Sequence, residues 1–213
     1  MFNRGLYPVL FNKRNASISS TVLSAGSSSS TIVIPASAAV GDLAILFDHG
    51  NQTGGTSDVI PTGWTGLVTD AGSPDRIRCS YKKLVGGDPG ATITGLNATS
   101  VNKLMLVFRP TFSITTITPS TWLAQVTTGN PASQAVSASG QATPLVVCGG
   151  AGVFDATAVF STASPAFDAE IASSNADIIV GYKIYNSAPV NHTIDMDDLG
   201  RNGLASGYLK VVA

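Results

Sequence analysis

Charge is scarce in this chain of 213 residues: Asp, Glu, Lys and Arg make up 12% of it, about half the share in an average soluble domain. Glutamate is reduced to a single residue, Glu170. With so few of the straight-chain residues that hold helices together, long helices are excluded, and the abundant Ser, Thr, Val and Gly suit pleated strands joined by tight turns. There is no excess of charge of either sign, since the formal net charge is −1. A basic field for nucleic acid or an anionic membrane surface is therefore missing. Two cysteines are too few for a secreted disulfide framework, and no apolar run approaches the ~20 residues of a membrane-spanning helix. Residues 1–15 lack a small-residue cleavage site after their apolar patch, so no signal peptide is read, and synthesis in the cytoplasm is expected. The sequons at Asn15, Asn51, Asn97 and Asn191 are then expected to be chance matches.

What is present is a succession of short apolar runs divided by Gly, Ser, Asn and Pro. Strands are predicted over residues 18–23, 31–34, 42–48, 66–70, 76–85, 91–94, 103–109, 114–117, 123–127, 134–137, 145–148, 151–154, 177–185, 192–195 and 204–212. Frequent turns between short strands define an all-β sandwich. In 76–85, Ile77, Cys79 and Tyr81 alternate with Arg78, Ser80 and Lys82, which predicts one core face and one wet face. Residues 43–47, 104–108 and 145–148 are apolar at every position, so both of their faces must be covered. The expected cover is the amino-terminal arm, a loop or a neighbouring subunit.

The two halves of the chain resemble each other. Val33 matches Val136, Leu43 matches Leu145, Tyr81-Lys82 matches Tyr182-Lys183, Pro89 matches Pro189 and Leu106 matches Leu209, with Ile77, Cys79 and Tyr81 falling on Ile178, Val180 and Tyr182. Duplication of one β unit is inferred. The predicted architecture is a jelly-roll-like β-sandwich built from pseudo-repeats at about 16–115 and 116–213, with two tandem immunoglobulin-like sandwiches as the alternative. The strand-like pieces around Trp122 in residues 110–133 favour one sandwich over a bare linker. On the same alignment Cys79 stands at Val180 and Cys148 at about Leu46. Both are thus expected to be free and buried, behaving as small hydrophobes.

Catalytic chemistry has little to stand on. No nucleophile elbow, P-loop, dinucleotide fingerprint or zinc motif is present. Gly149-Gly150-Ala151-Gly152 has the wrong spacing for a phosphate loop and reads as a tight turn or bulge. His49 and His192 stand apart from other ligands and read as surface or turn residues. The loop carrying Asp195, Asp197 and Asp198 could present oxygens to calcium, but departs from the EF-hand pattern and reads as a solvated loop. No enzyme, metal or cofactor is expected. The stripe of Arg76, Arg78 and Lys82 reads as a solvated or interface face. Trp64 and Trp122 read first as core packing, with Trp64, in Pro61-Thr62-Gly63-Trp64-Thr65, also the candidate for stacking on a glycan ring.

Several pieces carry a family resemblance: Phe2-Asn3-Arg4-Gly5-Leu6-Tyr7 with Phe11-Asn12, Pro35 with Gly41-Asp42-Leu43, Pro61-x-Gly63-Trp64-Thr65, Tyr81-Lys82 with Gly87-Asp88-Pro89-Gly90, and Ser206-Gly207-Tyr208-Leu209-Lys210-Val211. Spread along most of the chain, they resemble virion structural proteins of tailed bacteriophages and prophages. The resemblance implies a β-rich, non-enzymatic head or tail accessory protein that is located in the virion. Independently, residues 1–15 interleave Phe2, Leu6, Tyr7, Leu10 and Phe11 with Arg4, Lys13 and Arg14, too apolar for water and too short for a core. This segment is expected to be a docking arm, with Phe2, Arg4, Leu6, Tyr7, Leu10 and Phe11 contacting other virion subunits or a symmetry mate. The blander alternative is an edge strand on its own sandwich. A homo-oligomer is expected, without nucleic-acid or membrane partners, and the rival reading is a carbohydrate-binding adhesin that recognises a host surface glycan through Trp64.

Overall fold

A computed structural model describes residues 16–27, 30–51, 60–69, 75–96, 101–128, 132–153, 158–173, 177–196 and 201–213. The docking-arm residues, and Asp197 and Asp198, lie outside them. The first half of the chain forms β1 (Ile18–Ser27), β2 (Ile32–Val33), β3 (Leu43–Asn51), β4 (Thr65–Thr69), β5 (Asp75–Lys83), β6 (Thr92–Ile93) and β7 (Val101–Pro110). The second half forms β8 (Thr116–Pro119), β9 (Leu123–Thr128), β10 (Ala132–Val136), β11 (Leu145–Val153), β12 (Phe160–Ser164), β13 (Ala169–Ala172), β14 (Ile178–Tyr185), β15 (His192–Met196) and β16 (Arg201–Val212). Every described element is a strand and every strand pairing is antiparallel.

Two large sheets stack face to face. One has the order β1-β7-β3-β5-β4, and the other runs β13-β14-β11-β16-β8, with β9 also on β16. Read from its other edge, the second sheet repeats the first strand for strand: β16 takes the place of β7, β11 of β3, β14 of β5 and β13 of β4. The short ribbon β2-β6 is echoed by β10-β15, to which the second half adds β12. The expected strands in residues 110–133 are β8 and β9, both laid on β16.

Register makes the correspondence residue-specific. Ile45 lies between Tyr81 and Leu106, as Cys148 lies between Tyr182 and Gly207. Ile77, Cys79 and Tyr81 and their counterparts Ile178, Val180 and Tyr182 all belong to or pack on the core between the two sheets. The match of Leu43 to Leu145 is one residue out: Leu43 faces the central core and Leu145 the outer one, so its same-face counterpart is Val146. Cys148 likewise corresponds to Ile45 rather than Leu46. A slip of one residue changes the face of every side chain in a strand, and an apolar run gives no alternation by which to detect it.

The strands apolar on both faces are covered by the chain itself. Outside the first sheet, Ile32, Ile34, Leu84, Ile93 and Leu96 cover Ala44, Leu46, Met105 and Val107. Outside the second, Val136, Ile194 and Met196 cover Leu145, Val147, Ala151 and Leu204. The result is four layers with three apolar seams. This corrects the wet face assigned to 76–85: Arg78 and Ser80 are buried.

Across the middle seam, large side chains meet glycines. Phe47 packs over Gly150 and His49 over Gly152, and within the second sheet Trp122 lies over Gly207, each so closely that no Cβ could be added without displacing a ring. By register Gly150 is the counterpart of Phe47 and Gly152 that of His49, so equivalent positions touch each other, as across an approximate twofold axis. The packing of β16 on β5 and of β14 on β7 obeys the same relation. Gly149-Gly150-Ala151-Gly152 is therefore neither turn nor bulge. It continues β11 in unbroken register with both neighbours, and its glycines make room for rings.

Candidate functional site

The residues that could carry chemistry are mostly enclosed. Asp48, Arg78 and Lys103 stand opposite one another on β3, β5 and β7, on the outer face of the first sheet. All three are buried; Asp48 pairs with Arg78, and Lys103 Nζ is 3.3 Å from Asp48 Oδ1. Burial pulls the Lys103 ammonium down from its ordinary range while Asp48 pushes back. Asp42 receives the Arg109 guanidinium at 2.9 Å and also accepts the Ala39 N–H at 2.8 Å, closing the turn into β3.

Both histidines are buried, which corrects their reading as surface residues. His49 follows the inward parity of Leu43, Ile45 and Phe47, and neither ring nitrogen has a hydrogen-bond partner among the described residues. Desolvation lowers it to about 4, and Lys103 assists against the opposing pull of Asp48. His192 shares a 2.7 Å hydrogen bond between Nε2 and the Tyr185 hydroxyl, lies over Phe167, and is also held at about 4, chiefly by burial. Cys79 and Cys148 are free and buried in the central core, as expected, and burial raises both thiols well above their ordinary range. Such thiols are poor nucleophiles.

Trp122 is core: its ring packs on Phe47 at 6.1 Å between centroids and its Nε1–H donates to the Tyr208 carbonyl at 3.3 Å. Trp64 is different. It is half-buried, with part of its ring against the outer apolar layer of the first half and part lining a surface cleft of about 190 Å³. The turn that presents it is closed by the Trp64 N–H donating to the Pro61 carbonyl at 2.9 Å. Gly63 sits in that turn at φ +79°, the left-handed position a type II turn reserves for glycine.

Beside that turn the lining carries polar groups. Lys82 Nζ donates to Asp88 Oδ1 at 2.7 Å, and Asp88 Oδ2 accepts the Val85 N–H at 2.7 Å. Neighbouring backbone bonds, Gly90 N–H to Ile34 O at 3.1 Å and Ile34 N–H to Ala91 O at 2.9 Å, fasten the Asp88 turn to β2. Thr62, Thr92 and Thr94 also line the cleft, together with the apolar Ile34, Pro61, Ala91 and Ile93. Pieces of sequence that lie apart along the chain, Pro61–Trp64, Lys82 and Asp88, are thus brought into one cleft. Sequence reasoning singled out Trp64 but missed Asp88, Thr92 and Thr94 beside it. The one available signal was Lys82 six residues before the Gly-Asp-Pro-Gly turn.

The remaining candidates stay apart. Asp195 accepts a hydrogen bond from Ser133 across β10 and β15, and among the described residues no three carboxylate, histidine or cysteine groups converge as a metal site would require. Glu170 is exposed on β13, an edge strand. Compared with known proteins, the chain matches no family model, no curated protein and no solved structure.

Proposed function

We propose that this chain is a non-enzymatic structural component of a tailed-phage virion, a head or tail accessory protein attached through residues 1–15. The observation that carries the reading is the use made of charge. Asp42 with Arg109, Asp48 with Arg78 and Lys103, Asp88 with Lys82, and Asp168 with Lys183 tie strands and turns together, and both histidines are held inside as neutral rings. Such an arrangement favours a stiff scaffold over a site that must move protons. The resemblance of the quoted motifs to virion proteins supplies the biological setting. The body reads as one jelly-roll-like sandwich with internal duplication, because both halves contribute to a common central core, whereas tandem immunoglobulin-like domains would each keep their own. Its partners are other virion subunits and further copies of itself, met after synthesis in the host cytoplasm.

Mass spectrometry of gradient-purified particles, from the phage genome that encodes the chain, tests this. The full chain is expected at fixed copy number, and a chain lacking residues 2–15 is expected to keep its thermal transition yet be missing from particles. Particles without the full chain would overturn the virion assignment. Loss of folding on deletion, or undiminished incorporation, would overturn the docking arm.

A further inference from the structure

We infer that the cleft beside Trp64 binds one pyranose ring of a neutral saccharide, with a single such site per chain. This goes beyond the scaffold reading and does not depend on it. A sugar ring needs an apolar platform for its C–H face and polar groups for its rim of hydroxyls. The cleft supplies both. Its platform is an indole whose turn is fixed by a hydrogen bond and a glycine, so little ordering remains for the ligand to impose. The Trp64 indole N–H, unlike that of Trp122, has no hydrogen-bond partner among the described residues, and neither do the hydroxyls of Thr62, Thr92 and Thr94. Lys82 and Asp88 add a donor and an acceptor 2.7 Å apart, a spacing suited to two neighbouring hydroxyls.

The internal repeat provides a comparison within the molecule. By register Thr65 lies opposite Tyr81 and Ala169 opposite Tyr182, so the position equivalent to Trp64 is Asp168. There the carboxylate takes Lys183 at 2.6 Å and the Ile184 N–H at 2.8 Å, and the equivalent of Lys82 is thereby occupied. In the first half, Lys82 draws its carboxylate from the Asp88 turn instead, which leaves the edge position to the indole. The second half keeps the cation and carboxylate but has no indole at that position. Hence one site is expected, not two.

Saturation-transfer NMR and calorimetry on the full chain test this, with a panel of soluble neutral hexose and N-acetylhexosamine oligosaccharides as probes. At least one probe is expected to bind with a stoichiometry of one, to shift the Trp64 indole resonance and to leave that of Trp122 in place. Trp64→Ala is expected to weaken binding at least about fivefold, and Trp64→Phe less. The phenylalanine variant and the resonance shift of the unaltered chain keep the idea testable if alanine impairs folding. No binding by the whole panel at millimolar concentration, two equal sites, or undiminished binding by Trp64→Ala would each overturn it. Because none of these measurements involves particles, failure here leaves the virion assignment standing.

Discussion

Gly150 and Phe47 show at the scale of single residues how the central seam is built. An added methyl at residue 150 would fall on the Phe47 ring, so Gly150→Ala is expected to destabilise the protein by about 1–3 kcal/mol, the usual range for overpacking a filled core. Urea unfolding measures it, and pairing the change with Phe47→Leu should return part of the loss. The histidines give a second expectation. With folded values near 4 and an unfolded value near 6.5, both are neutral in either state well above pH 6.5 and contribute no pH dependence there. As pH falls below 6.5 the unfolded chain takes up protons that the folded chain refuses. The histidines' contribution should therefore decline down to about pH 4 and then level off, losing about 3 kcal/mol for each. The unfolding midpoint in urea, followed from pH 7.5 to 4.5, checks this, and a flat profile would contradict it.

Among the strands, the most consequential polar element is the row formed by Asp48, Arg78 and Lys103. Removing the carboxylate between them takes a partner from two buried cations at once, so Asp48→Ala is expected to destabilise by about 3–5 kcal/mol, read from the same denaturation curves. Replacing all three residues by apolar side chains of similar volume should lose far less. This row also marks the limit of what alternation could reveal. The period of two in 76–85 separated Ile77, Cys79 and Tyr81 from Arg78 and Ser80 correctly, but it could not tell a wet face from one roofed by β2, β6 and their loops. Polar residues under a roof look the same in sequence as polar residues in water. Trp64 was legible for a related reason: the Pro-Thr-Gly-Trp turn announces its own geometry, while Asp88 reaches the cleft only through tertiary structure. Strands β12 and β13 escaped notice because Phe160–Ser164 and Ala169–Ala172 are short and rich in Ser and Ala, with no strong apolar alternation. Residues 145–153 were divided because glycine ordinarily interrupts a strand, and here it admits a neighbour's ring instead.

For the molecule as a whole, the all-β class followed from composition and the repeat from the match of Tyr81-Lys82 to Tyr182-Lys183, whereas by register Leu209 is the counterpart of Phe108 rather than of Leu106; the four-layer stacking needed the structure. Since the middle seam draws on both halves, unfolding should be a single cooperative transition. Far-ultraviolet circular dichroism and the exposure of Cys79 and Cys148 to a thiol reagent should report the same midpoint. Separate midpoints would mean that the halves are independent. Residues 16–115 expressed alone should fail to give a stable monomer, because Leu43, Ile45, Phe47, Leu104, Leu106 and Phe108 would lose their opposite wall.

The meeting of Phe47 with Gly150 and of His49 with Gly152 has a further outcome for self-recognition. Two copies of the first half brought together in the same way would set phenylalanine against phenylalanine and histidine against histidine, and two copies of the second would enclose a void between glycines. Each half thus discriminates against its own kind and accepts only the other, a lock-and-key polarity within one polypeptide. The arrangement disfavours only like-with-like pairing: the first half of one chain would still fit the second half of another.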